Sequence, residues 1–118
     1  MAVNSSSTTI DISIDNCTIT SSGTATSTVL FSTNYGSEID NINIKNSRIV
    51  NNYSDGIAFN YNNGYGSNLF MFVCNSEIRA GSYDISGLTT SSKFFYSNYT
   101  LFTNNSNIVK YDPSIDLK

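Results

Sequence analysis

From Ile39 to Phe59 the chain reads IDNINIKNSRIVNNYSDGIAF: apolar and polar residues alternate, stop at asparagines, and begin again. Alternation over five or six residues sets one face of an extended strand inward. The same short pattern, apolar-any-Asn-any-any-apolar, occurs four times, as IDNCTI from Ile14, IKNSRI from Ile44, VCNSEI from Val73 and YSNYTL from Tyr96. Its asparagines, Asn16, Asn46, Asn75 and Asn98, follow one another at 30, 29 and 23 residues.

The register extends to both sides. Ile12, Ile42, Met71 and Phe94 stand four residues before each Asn, and Ile14, Ile44, Val73 and Tyr96 two before. Ile19, Ile49, Ile78 and Leu101 stand three after. A second apolar segment follows in each unit, at Val29, Ile57, Ile85 and Ile108, across turn-rich stretches such as TSSGTATS, NNYSDG and RAGSYD. One such unit cannot bury its inner face alone. Stacking the units at the strand spacing of about 4.8 Å buries every inner face in columns of like residues. The expected class is all-β, a solenoid of about four coils over residues 10–111. Residues 1–9 read as a polar leader and 112–118 as a tail. Asn tolerates the left-handed conformation of a tight corner. Its amide is expected to bridge neighbouring coils and satisfy corner backbone groups.

The pattern in INIKNSRIVNNYSDGIAF resembles the coil repeat of right-handed parallel β-helix proteins, the superfamily of pectate lyases, polygalacturonases and bacteriophage tailspikes. The rival architecture is an antiparallel sandwich, in which Asn63-Gly64 closes a hairpin. It leaves the four-fold register without a cause. The resemblance identifies a solenoid and no activity. The pectinolytic members' acidic and histidine motifs have no counterpart here, since the chain contains no His, no NTD and no DD pair.

Composition narrows the chemistry further. Charged residues make up 13% of the chain, about half the usual share. A net charge of −3 with six scattered basic residues gives no track for nucleic acid and no attraction to an anionic membrane. No apolar run approaches the roughly 20 residues that span a bilayer. The absence of His removes His-based triads and His-ligated zinc, and no metal or cofactor is expected. Cys17 and Cys74 lie two coils apart, on the order of 10 Å by stacking, so both are expected as free thiols.

Candidate residues fall into three groups. Asp55 and Asp84 each stand nine residues after their Asn. On adjacent coils they would offer a carboxylate pair for glycoside hydrolysis, which needs about 5 Å for retention. The alternative is two turn aspartates capping their own backbone. Tyr61, Asn63 and Tyr65, in the Gly- and amide-rich loop FNYNNGYGSN, combine aromatic faces with amide donors, as carbohydrate sites do. They equally suit a contact between subunits. Phe70, Phe72 and Phe95, with Leu30, alternate out of phase with the inward columns and are expected at an oligomer interface. Arg48 with Glu77, and Asp15 with Lys45, are expected to pair across coils as register support.

The resemblance and the faces together suggest a tailspike or tail-fibre segment, expected as a trimer in which cyclic closure around one axis covers its walls. Such a segment attaches to bacterial surface polysaccharide and belongs to a virion tail, or otherwise to an extracellular or cell-surface setting. Two readings stand beside it: a polysaccharide depolymerase using the Asp55–Asp84 pair, and a purely structural or adhesin module. A catalytic role is the less favoured expectation.

Overall fold

The computed structural model describes residues 2–3, 9–33, 39–63, 68–88, 92–97 and 99–102. They form strands and turns, without helix among the described residues. The strands come in threes. A first tier holds β1 (Ala2–Val3), β2 (Thr9–Asp15) and β3 (Thr18–Ser21). A second holds β4 (Ser27–Thr33), β5 (Ile39–Lys45) and β6 (Arg48–Asn51). A third holds β7 (Ile57–Asn63), β8 (Asn68–Cys74) and β9 (Glu77–Arg79). A fourth holds β10 (Tyr83–Ser86), β11 (Lys93–Tyr96) and β12 (Leu101–Phe102).

Every third strand pairs, always in parallel, so the chain builds three four-stranded sheets: β1-β4-β7-β10, β2-β5-β8-β11 and β3-β6-β9-β12. Parallel pairing needs a crossover between partners, and here the other two sheets supply it. The hairpin alternative fails for this reason: β5 and β8 run side by side in parallel, Ile39 to Asn68 through Lys45 to Cys74. The stretch read as a polar leader contributes Ala2–Val3, which pair with Leu30 and Phe31, and Thr9 already belongs to β2.

The columns follow the register. Ile12, Ile42, Met71 and Phe94 are successive partners, as are Ile14, Ile44, Val73 and Tyr96. Val29, Phe59 and Ile85 form another column, and Phe31 with Tyr61 a fourth. Most of these side chains are buried in one core. Each buried aliphatic or aromatic side chain contributes about 1.5–3 kcal/mol. The fifth column, that of the third sheet, needs a correction. Ile19, Ile49 and Ile78 stack as expected, but their partner in the fourth tier is Phe102, and Leu101 stands beside Glu77, 55% exposed. The corner leading into β12 carries one more residue than those above it. Leu101 N donates to Ser76 O just as Glu77 N donates to Ser47 O, which places Leu101 level with Glu77.

The corner between the second and third sheets is built by two residues. Asn16, Asn46 and Asn75 have φ of 54°, 50° and 47°, the left-handed region that Asn enters more readily than other non-glycine residues. The amides of Asn75 and Asn46 form an exposed ladder that ends on Asp15: Asn75 Nδ2 donates to Asn46 Oδ1 at 2.9 Å, and Asn46 Nδ2 to Asp15 Oδ1 at 3.2 Å. The corner backbone is satisfied by the next residue. Ser47 Oγ accepts from Cys17 N, and Ser76 Oγ from Ser47 N, while each hydroxyl donates to the carbonyl two residues back. The expectation that the Asn amide performs this task is therefore corrected. Asn bends the chain, and the buried Ser plugs the corner. Asn98 and Ile108 lie outside the described residues.

Candidate functional site

Of the residues expected to hold sugar, Tyr61 is inside the core. Its ring stacks on Phe31 at 5.1 Å and its hydroxyl donates to Asp40 Oδ2 at 2.6 Å. It is 6% exposed and offers no face to a ligand. The reason is register: Tyr61 is the partner of Phe31, an inward position that the loop-like sequence around it disguised. Asn63 ends β7, and Tyr65 lies outside the described residues.

Asp55 and Asp84 are not stacked. Tyr83 pairs with Ile57 and Ile85 with Phe59, so Asp84 is level with Ala58, three residues beyond Asp55. The turn after β6 takes residues 52–56 and that after β9 only 80–82, so equal offsets from Asn do not reach equal heights. Asp55 is exposed in its turn. Asp84 is buried and accepts from Ala80 N at 3.0 Å, closing the turn that leads from β9 into β10.

Phe70, Phe72 and Phe95 do turn outward, half-buried, between the inward Leu69, Met71, Val73 and Phe94. Phe72 and Phe95 are register partners and stack at 4.9 Å. Phe70 shares that face with Lys93 as its partner. The polar neighbours on the same columns are Asn41 and Asn43.

A cleft that the sequence did not announce lies at the corner between the third and first sheets, with a volume of about 330 Å³. Its walls include Asn52, Tyr53 and Ser54 from the turn after β6, and Arg79, Ala80 and Gly81 from the end of β9. The turn is pinned from beneath by Asn51, 2% exposed. Asn51 Nδ2 donates to Ala25 O at 2.9 Å on the tier before and to Ile57 O at 3.1 Å across the turn, and Oδ1 accepts from Tyr53 N at 3.0 Å. A Cβ on Gly56 would run into this amide, and a Cβ on Gly81 would meet Ser54 O and Tyr53 O. Gly56 therefore lets its own turn close over the Asn51 amide, and Gly81 lets the next turn close on this one, with Tyr53 and Arg79 lining one opening. Two Gly-bearing turns one tier apart, NNYSDG and RAGS, were the available signal.

Among the described residues, Arg79 is held at its Nε edge alone. Glu77 Oε1 accepts from Arg79 Nε at 3.1 Å, while Oε2 accepts from Arg48 Nε at 2.7 Å. The Arg48–Glu77 pairing expected from the repeat is present. These hydrogen bonds, that of Arg48 first, hold the Glu77 carboxyl below its ordinary value. One carboxylate thus serves two guanidinium groups, and the cluster keeps a net positive charge. Asp15 and Lys45 are register partners, and Asp15 accepts from Asn46. Cys17 and Cys74 are free thiols. Among the described residues no group of acidic, His or Cys side chains is arranged to hold a metal ion.

No family model, curated protein or solved structure matches the chain.

Proposed function

We propose that the three parallel sheets are the walls of a right-handed parallel β-helix, and that this chain is a segment of a tailspike-like assembly that attaches to surface polysaccharide as a trimer. Handedness follows from the strong preference of parallel crossovers for the right-handed sense. The observation that carries the assembly is the Phe72–Phe95 stack on an outer wall, with Phe70 beside it. Outward aromatic pairs on a sheet face mark a surface that another chain covers. A cyclic arrangement lets three equivalent walls meet around one axis. The glycan contact belongs to the cleft at Tyr53, where an aromatic ring, amides and a guanidinium converge on one opening.

The depolymerase reading loses its support with the separation of Asp55 and Asp84. Light scattering on the purified chain tests the assembly. A trimer that Phe72→Asp converts to smaller species supports the reading. A soluble monomer with Phe70, Phe72 and Phe95 facing water favours a stand-alone module and sinks it.

A further inference from the structure

We infer that the cleft at Tyr53 and Arg79 is a subsite for an anionic saccharide unit, a sugar ring bearing a carboxylate or a phosphate. This rests on the glycan reading of the same cleft and specifies its ligand. The chain as a whole is acidic, at −3, so a generic surface here would repel anions. The Arg48–Glu77–Arg79 cluster carries one more positive than negative charge, and of its members Arg79 lines the cleft. Glu77 spends one oxygen on each arginine and orients both through Nε. The outer nitrogens of the Arg79 guanidinium have no partner among the described residues, and Arg79 lines the cleft. A guanidinium edge fixed in this way matches the two oxygens of a carboxylate or phosphate.

The remaining walls are suited to a ring and its hydroxyls and not to a bare ion. Tyr53 supplies an aromatic face, and Asn52 and Ser54, both exposed, supply an amide and a hydroxyl. Asp55, in the same turn, does not line the cleft. Gly81 keeps the opening low on the Arg79 side, because no side chain fits against Ser54 O. The anion therefore sits at Arg79 and the ring at Tyr53.

The test titrates the full chain with glucuronic acid, glucose 6-phosphate, glucose and inorganic phosphate, following residues 52–54 and 79–81 by NMR. The expected result is binding of both acidic sugars at least about tenfold tighter than glucose, the scale of one charge-assisted hydrogen bond. Arg79→Gln should remove that preference while the chain stays folded with its thermal midpoint shifted only by the loss of one exposed ion pair, and Tyr53→Ala should weaken the acidic sugars but not inorganic phosphate. Glucose binding as tightly as the acids would overturn the anionic specificity and leave the glycan reading standing. Inorganic phosphate matching both acidic sugars would overturn the sugar component. If no saccharide perturbs these residues, the glycan reading of the cleft falls as well.

Discussion

Tyr61 and Asp40 meet inside the core, the phenol donating to the carboxylate at 2.6 Å. Asp40 occupies an inward position, between Ile10 and Leu69 in its column, and is fully buried. A buried carboxylate is tolerated only where donors surround it. Tyr61 comes from the first sheet and Asp40 from the second, so the bond ties two walls together. Tyr61→Phe keeps the ring on Phe31 and deletes only the donor. It should destabilise the chain by about 1–3 kcal/mol, read by urea unfolding. A loss no greater than that of a surface Ser→Ala would show that the other partners of Asp40 suffice.

The left-handed corner at Asn46 separates two contributions. Asn46→Ala leaves at φ 50° a residue without the short polar side chain that lets Asn enter the left-handed region, and should cost about 1–2 kcal/mol. Asn46→Gly relieves that backbone strain and still removes the amides that join Asn75 to Asp15. Equal losses for the two variants would assign the cost to the ladder; recovery in the Gly variant assigns it to the bend. Thermal melts of the pair distinguish these outcomes.

Glu77 makes a pH-dependent contribution of known sign. Its carboxyl is held below the ordinary value of 4.5, chiefly by the hydrogen bond from Arg48. The stabilisation is therefore complete above 4.5 and is lost as pH falls through the lowered folded value. On a wet surface it amounts to about 1 kcal/mol at most. The stability difference between wild type and Glu77→Gln should be flat at neutral pH, vanish in acid, and shrink in high salt. A difference that survives full protonation would locate the effect outside the ion pairs.

The two thiols should react at different rates. Cys17 is exposed at the first Asn corner, whereas Cys74 is half-buried and its thiol is pushed up by burial. The thiolate is the reactive form. A chromogenic disulfide at pH 8 should therefore modify Cys17 first, as the Cys17→Ser and Cys74→Ser variants would show. Faster loss of Cys74 would contradict its half-buried placement at the end of β8.

Much of the architecture is legible in the chain because a strand has a period of two and an Asn corner has a fixed shape. Ile12, Ile42, Met71 and Phe94 could be aligned without coordinates for that reason. Outward placement of Phe72 and Phe95 followed from the same alternation. Counting fails wherever corners differ in length. An offset from Asn assigns Leu101 to the column that Phe102 fills, and sets Asp84 beside Asp55, because it crosses a turn of variable length. Tyr61 misled for another reason: its Gly- and Asn-rich surroundings read as loop, while its register put it opposite Phe31. The buried roles of Ser47 and Asn51 were illegible, since a Ser or Asn at a turn looks the same whether it is plugging a corner or facing water.

The extra residue before β12 bears on how such a chain can change over time. Tier-to-tier spacings already differ, and the turns at 52–56 and 80–82 are unequal, yet Phe59 and Ile85 still meet as partners. Each strand resets the count that the preceding turn disturbed. An insertion or deletion in a corner is thereby quarantined: it alters one local protrusion and leaves every column beyond it aligned. Corners are thus the positions where foreign peptides can be grafted, whereas a single residue added within β5 or β8 would turn the whole remaining strand inside out.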